Sequence, residues 1–416
     1  MLADLLIHNT SEVLSCAGPA PRCGPAQADA GVLLRGVVAS HRGTIVFVGP
    51  SDEWQRIGTL ANDAVVVDAE GGSLVPGFVD AHTHIVFAGD RRDELRRRLA
   101  GASYADIAAE GGGILATVAA TRTATEDHLV DVTTRRLDDM LRSGTTSCEA
   151  KTGYGLTTDS ELKLLRVIAR LQRVQPVEIV PTFMGAHEIP AEFRGRSEAY
   201  VDLLCDEMIP AVAYSGLAEW CDVFCEQGVF SPPQATRILE AGRAAGLKPR
   251  IHADELGPSG GSIVAAAVGA RSADHLIFAD AHAARALASA GTVATLMPTA
   301  AFFLKLGRYA PARMLIEAGV PVALATDVNP GGGFSSSMPF AMTLACFAMS
   351  LTFEEALVAA TLNAAYSLDR DAQVGSLETG KQMDALLVDG PAVELISIGS
   401  PTIRLVIKKG RIIERH

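Results

Sequence analysis

The segment Val75-Pro76-Gly77-Phe78-Val79-Asp80-Ala81-His82-Thr83-His84 closes a short apolar run on two histidines one residue apart. Side chains of an extended chain alternate between faces, so both imidazoles point to the same side. Neutral imidazole is a good ligand for zinc or iron. Alone, a His-x-His pair is often an ordinary turn; after a buried strand at the start of a repeated pattern, it reads as part of a metal site. Further along, Arg250-Ile251-His252-Ala253-Asp254-Glu255 brings a histidine and a carboxylate. Ser272-Ala273-Asp274-His275 brings another histidine, and Ala325-Thr326-Asp327 an aspartate. A lone histidine is more often a satisfied structural residue. Four strand ends, each with a ligand-type side chain, fit poorly with decoration of a core.

The elements that must carry these residues can be read from the chain between about 78 and 330. Short β-branched runs alternate there with longer helical stretches. The strand candidates are GFVDAH, TTSCEAK, VEIVPTF, CDVFCE, PRIHA, ADHLIF, TVATLM and PVALAT. Between them lie patterns such as EDHLVDVTTRRLDDMLRSG, in which Val130, Leu137 and Leu141 are expected on one helical face and Gly144 supplies the stop. Strand–helix alternation implies parallel pairing, which needs crossover connections. Eight such units predict an α/β fold, a (β/α)8 TIM-type barrel whose strand ends meet around one mouth. A doubly wound open sheet is the second topology that fits. The two ends of the chain differ from the middle. LLIH, GTIVFVG and AVVVDAE near the start, and DALLVD and TIRLVIKKGRII near the end, read as short strands joined by turns. Neither set can bury a sheet alone, so residues 1–70 and 380–416 are expected to form one small β-sandwich domain beside a barrel over 71–379.

Composition narrows the function. The chain has 416 residues, 48% hydrophobic and 20% charged, as ordinary folded proteins do, and a formal charge of -12. That surplus of acid argues against nucleic acid or an anionic membrane as partner. A small anionic substrate would need a local arginine. The opening MLADLLIHNTSEV lacks the basic region and long apolar core of a secretory signal. No apolar stretch reaches the roughly 18 residues of a membrane span. A cytoplasmic protein is expected, with its seven scattered cysteines reduced.

Histidines after the first, fifth and sixth strands and an aspartate after the eighth resemble the signature of the amidohydrolase superfamily. The runs HTHIVFAGDRRDEL, GASYADIAAEGGGI, EAKTGYGL, TFMGAHEIP, SADHL and ATDVNPG are similar, more narrowly, to the imidazolonepropionase family, ring-opening enzymes of histidine breakdown. The likeness spans nearly the whole chain, and GASYADIAAEGGGI and KTGYGL are its most specific pieces. The resemblance implies that His82, His84, His252 and Asp327 hold the metal and that Glu255 and His275 are catalytic-site groups. It implies that Arg91, Tyr104, Tyr154, His187, Asn329, Gly331 and Gly332 contact substrate, and it favours a homodimer. Where the family often has a hydroxyl residue shortly after NPG, this chain reads Gly331-Gly332-Gly333, so that contact is expected from backbone or lost.

The chemistry is consistent with those roles. Hydrolysing a cyclic amide needs a nucleophile stronger than water, and zinc or iron can lower water's pKa from 15.7 to about 7. Asp327 can also accept a hydrogen bond from that water, and His275 can polarise the carbonyl or move protons. Glu255 can relay a proton to the leaving ring nitrogen, or only orient its neighbours. Arg91 can pair with a propionate tail, which guanidinium suits, or stand at a solvated helix start. Tyr154, between two glycines on a flexible-looking strand end, can donate its phenol to substrate. Two-metal members of the superfamily commonly use a modified lysine on the fourth strand. CDVFCEQGVF has none and Lys151 lies on the second, so one metal ion, zinc or iron, is expected. The expected reaction is hydrolysis of 4-imidazolone-5-propanoate to N-formimidoyl-L-glutamate. The alternatives are another mononuclear amidohydrolase, such as a purine or heterocycle deaminase, and a non-catalytic scaffold.

Overall fold

The computed structural model describes residues 1–102, 112–397 and 402–415. Each of the eight expected runs forms a parallel strand: β1 (Phe78–Asp80), β2 (Thr145–Lys151), β3 (Glu178–Ala186), β4 (Trp220–Cys225), β5 (Ile251–Ala253), β6 (Ser272–His275), β7 (Val293–Leu296) and β8 (Val322–Leu324). They pair in chain order from β1 to β8. Beyond the ends of β8 and β1 the ring is joined by Asp327 N–H donating to the His82 carbonyl (3.1 Å) and His84 N–H to that of Val328 (2.8 Å). The barrel prediction holds, and the open-sheet alternative does not.

Alternation along the strands sorts side chains into two populations. Outward residues such as Cys148, Ile179, Phe183, Val223, Ile251, Leu296 and Leu324 enter the large core shared with the surrounding helices. Inward residues form layers, as barrel interiors do. At the bottom Val79, Val180, Trp220, Val293 and Ala323 pack with Ala364 and Ala365 of the helix Leu362–Ser367, and with Leu368 and Val374. Above them the interior turns polar: Glu149, Lys151, Thr182, Asp222, Arg250 and Asp274, all fully buried. The histidines sit on top.

The outer helices carry conventional start signals. Thr125 Oγ1 accepts from His128 N–H (3.2 Å) at the head of Glu126–Arg142, whose first turn holds Glu126 and Asp127 against the positive end of the helix dipole. Its buried face is Leu129, Thr133, Leu137, Met140 and Leu141. Val130, expected on that face, lies at its flank and is only partly buried, because Leu129 takes the central position. Gly144 (φ +92°) turns the chain directly into β2.

Both chain ends form two facing sheets. One has four strands (Leu2–His8, Gly36–His41, Thr44–Pro50, Thr59–Asp68), the other six (Glu12–Leu14, Val32–Leu34, Ser73–Pro76, Ala385–Val388, Ile403–Lys408, Arg411–Arg415). Leu5, Ile7, Val38 and Ile45 from the first meet Val13, Leu74, Leu387 and Ile407 from the second in one core. The strand Ser73–Pro76 leads straight into β1, so the sandwich sets where the His-x-His segment begins. All seven cysteines are free thiols. Among the described residues no helix is long and apolar enough to cross a membrane.

Trp220 is the largest side chain in the floor of the barrel. Trp220→Ala is expected to lower the unfolding free energy by about 3–5 kcal/mol, the usual cost of emptying such a site, as read by urea denaturation.

Candidate active site

The His-x-His segment leaves β1 and is clamped by the end of β2. Lys151 N–H donates to the Thr83 carbonyl (3.0 Å), and Thr83 Oγ1 donates to the Glu149 carbonyl (2.5 Å). His82 and His84 therefore project into the same mouth. Their Nε2 atoms lie 3.2 Å apart, and His252 Nε2 is 3.2 Å from His84 Nε2. Asp327 Oδ1 is 3.6 Å from His82 Nε2 and 3.7 Å from His84 Nε2, buried and without a hydrogen-bond partner. His82, His84 and Asp327 thus bring their ligand atoms within 4.8 Å of one another, with His252 Nε2 beside that of His84.

These donors suit a cation. His82 Nδ1 donates to Asp274 Oδ2 (2.6 Å) and His252 Nδ1 to Asp222 Oδ1 (3.0 Å), which leaves each Nε2 lone pair directed to the centre. Burial, followed for His82 and His252 by the positive charge of Lys151, holds all three imidazoles neutral, as a metal ligand must be. Burial also pushes the Asp327 carboxyl up to about 7, so its ionised form lacks compensation from the protein alone. A metal centre on these residues accounts for all three observations. His275 sits close as well, with a ring nitrogen within 4.8 Å of those of His82 and His252.

Backbone strain gathers at the same rim. Asp254 (φ +52°), His275 (φ +75°) and Asp327 (φ +53°) all adopt the left-handed region that non-glycine residues avoid. For His275 the consequence is directional: outward-facing alternation would point it into the helical layer, and instead it reaches the mouth.

His84, His252, His275 and Asp327 line a cavity of about 350 Å³. Glu255 lines it with its Oε2 3.5 Å from His275 Nε2. Glu226 fixes the Glu255 loop by accepting from the N–H groups of Glu255 (3.1 Å) and Leu256 (2.9 Å). Burial, then the carboxylates of Asp327 and Glu226, pushes the Glu255 carboxyl well up. Tyr154 also lines the cavity, and its loop is more rigid than the glycines suggested. The Glu161 carboxylate accepts from the N–H groups of Gly153, Gly155 and Leu156 (3.1, 2.8 and 2.8 Å). His187 stacks on His84 with ring centroids 4.8 Å apart and donates from Nδ1 to the Gly153 carbonyl (3.1 Å).

Arg91 immediately precedes the helix Arg92–Leu99, yet it is only 8% exposed and lines the cavity. Glu94 Oε2 holds its guanidinium at 2.8 Å from Nε and 2.7 Å from Nη2. The glycine run explains itself here. A Cβ on Gly331 would stand 2.2 Å from Arg91 Nη1, and one on Gly333 1.5 Å from the Asp327 carbonyl oxygen. Asn329 Oδ1 accepts from the N–H groups of Gly331 (2.8 Å) and Gly332 (2.6 Å), so both glycines shape the wall with those groups engaged. Tyr104 lies outside the described residues.

Sequence reasoning passed over the polar layer beneath the donors. Lys151 Nζ lies 2.6 Å from Asp222 Oδ2 and 2.8 Å from Glu149 Oε2, and Arg250 Nε is 3.2 Å from Glu149 Oε1. Burial opposes ionisation of Asp274, but Arg250 and Lys151 outweigh it and hold that carboxyl below its ordinary range. The signal was present: SCEAK carries charges at alternate positions, Glu149 and Lys151, and CDVFC a single charge, Asp222, in an apolar run, the mark of a side chain turned inward. Arg98 was also missed; it lines the cavity and donates to the Gly331 carbonyl (2.9 Å).

A pH prediction follows from His187. Burial lowers its pKa to about 4 despite the opposing Gly153 bond, so between about 6.5 and 4 the unfolded chain takes up a proton that the folded one refuses. Stability of the metal-free protein should fall as pH drops through that window, by at most roughly 1.4 kcal/mol per unit from this group. His187→Gln should flatten the dependence of the urea midpoint on pH there.

The model of the family described as "Amidohydrolase family" matches residues 73–413. An imidazolonepropionase of Symbiobacterium thermophilum is 49% identical over 99% of this chain and 97% of its own length. One of Geobacillus kaustophilus is 47% identical over 99% and 98%. Among solved structures, a triazine hydrolase variant superposes with a TM-score of 0.75 at 17% identity, covering 98% of this chain and 94% of that one. A zinc-bound adenosine deaminase from Xanthomonas campestris gives 0.69 at 19%, covering 99% and 93%. At such identities the structures speak for the fold, and the sequence matches for the family: the chain belongs to the amidohydrolase family, in the group formed by the imidazolonepropionases.

Proposed function

We propose that this chain hydrolyses the ring amide of 4-imidazolone-5-propanoate to N-formimidoyl-L-glutamate, a step of histidine degradation. One ion, zinc or iron, held by His82, His84, His252 and Asp327, completes the site, since imidazole and carboxylate suit either metal. The observation that carries this reading is that His84, His252 and Asp327 of the donor set, the Glu255 carboxyl and the Arg91 guanidinium all line one small cavity. The near full-length likeness to imidazolonepropionases supports the same substrate.

When bound, the ion supplies Lewis acidity, which makes water a competent nucleophile near neutral pH. The remaining work belongs to the protein. Arg91, oriented by Glu94, pairs with the propionate and sets the ring over the donors, where Tyr154 and His187 border it. The Asp327 carboxylate accepts a proton from the attacking water. His275 Nε2 hydrogen-bonds the ring carbonyl oxygen as charge builds there. Water's oxygen bonds to the carbonyl carbon, the ring C–N bond breaks, and the nitrogen takes a proton. Glu255 is suited to deliver it, because its raised pKa keeps a proton on a carboxyl beside His275.

The direct test is a spectrophotometric assay with freshly prepared imidazolone propionate beside a panel of purines. Turnover of the former alone is expected; deamination of a purine with no ring opening would reject the assignment. In the same assay, alanine at His82, His252 or Asp327 should abolish turnover and reduce bound metal. His275→Ala should abolish turnover with metal content nearly intact, and equal metal loss would make His275 a ligand.

Arg91→Lys should weaken substrate binding about ten- to hundredfold, equivalent to roughly 1.5–3 kcal/mol for a charged hydrogen bond, and scarcely affect an analogue lacking the carboxylate. Equal losses for both would make Arg91 structural. Glu255→Gln keeps size and hydrogen-bonding reach but lacks the transferable proton. Single-turnover rate should fall by about 10² to 10⁴ with metal content unchanged; a near-normal rate would remove Glu255 from proton transfer.

A further inference from the structure

Lys151, at the end of β2, is fully buried directly beneath the donor histidines. Its Nζ is 2.6 Å from Asp222 Oδ2, 2.8 Å from Glu149 Oε2 and 3.6 Å from Asp274 Oδ2. Asp222 turns its other oxygen to His252 Nδ1 (3.0 Å), and Asp274 Oδ2 faces His82 Nδ1 (2.6 Å). The main-chain N–H of the same lysine holds the Thr83 carbonyl, between His82 and His84. Arg250, the other cation of this layer, hydrogen-bonds the carbonyls of Ser367 (2.7 Å) and Ala81 (3.0 Å) and also stands 3.7 Å from Asp274 Oδ2, but only Lys151 reaches both Asp222 and Asp274. We infer that Lys151 is a positioning residue for the metal donors: one ammonium fixes Asp222 and Asp274 relative to each other, and through them aims His252 and His82 at a common point.

A purely structural lysine makes a different prediction. Buried ion pairs are commonly replaceable by packed apolar groups without loss of stability, so a cation kept among three buried carboxylates should show its effect on the donors. Partners that orient metal-ligating histidines typically change metal affinity ten- to hundredfold when removed.

The inference rests on the metal-site reading above, and the experiment separates the two. The full-length protein, stripped of metal, is titrated with Co²⁺ against a competing chelator while the visible absorption of the ion is recorded. The unaltered protein should bind one equivalent; failure to bind would overturn the site reading and this inference together. Lys151→Met should bind Co²⁺ ten- to hundredfold more weakly, with a shifted absorption band. Because losing one buried cation can prevent folding, the charge-balanced Lys151→Met/Glu149→Gln variant and Asp222→Asn are measured beside it, each checked by circular dichroism. The same loss is expected in every variant that folds. Native affinity and an unshifted band in a folded Lys151 variant, or in Asp222→Asn, would overturn the role of Lys151 while leaving the metal site in place.

Discussion

Two hydrogen bonds between buried carboxylates and imidazoles, Asp274 with His82 and Asp222 with His252, govern how this barrel is built. Each fixes which ring nitrogen carries the proton and which faces the mouth. An aspartate inside a barrel cannot stand alone, because an unpaired buried charge is strongly destabilising. Lys151 and Arg250 follow from the aspartates, and Glu149 follows from the two cations. The interior is therefore layered by necessity: an apolar floor around Trp220, a charged middle, and donors on top.

The charged layer constrains the rest of the fold. Its members sit on β2, β4, β5 and β6, so the register between those strands decides whether the groups meet. The pairing of His252 with Asp274 across β5 and β6, and of Phe224 with His252 across β4 and β5, brings the carboxylates alongside the rings. Strain at Asp254, His275 and Asp327 lies at the rim: His275 is the last paired residue of β6, and Asp254 and Asp327 stand just past the last pairs of β5 and β8. The sandwich contributes from below. Lys408 Nζ pairs with Asp384 (2.6 Å) and approaches Ser147 Oγ at the foot of β2 (3.4 Å), tying the terminal sheets to the strand that ends in Lys151.

Much of this was legible in the residues. Eight apolar runs and their helical partners predicted the barrel because period-two and period-3.6 patterns are local. His82, His84, His252, His275 and Asp327 stood out because each lies at or just past a strand end, and strand ends of a barrel converge whatever the loops do. The contacts that needed three dimensions were less visible. Glu161 stiffens the Gly153–Gly155 loop from the first turn of the next helix, a bond no local pattern announces. Glu94 and Gly331 decide where the Arg91 guanidinium sits, and 237 residues need not separate them in space even though 331 is far along the chain from 94. The glycines after Asn329 read as a substrate contact made by backbone or lost, and the structure adds a reason for two of them: the close approach of Arg91 to Gly331 and of the Asp327 carbonyl to Gly333.

Among the described residues the site offers a cation three alternative groups of donors: His82, His84 and Asp327 at the mouth, which His252 joins through His84; His82, His252 and His275 across it; and Asp222, His252 and Asp274 in the layer below. An anomalous difference map, from crystals of the metal-loaded protein at the absorption edge of the bound metal, distinguishes them in one measurement. A single peak enclosed by Nε2 of His82, His84 and His252 and Oδ1 of Asp327 is the expected result. A peak between Asp222 and Asp274, or one bound by His275 in place of Asp327, would contradict it.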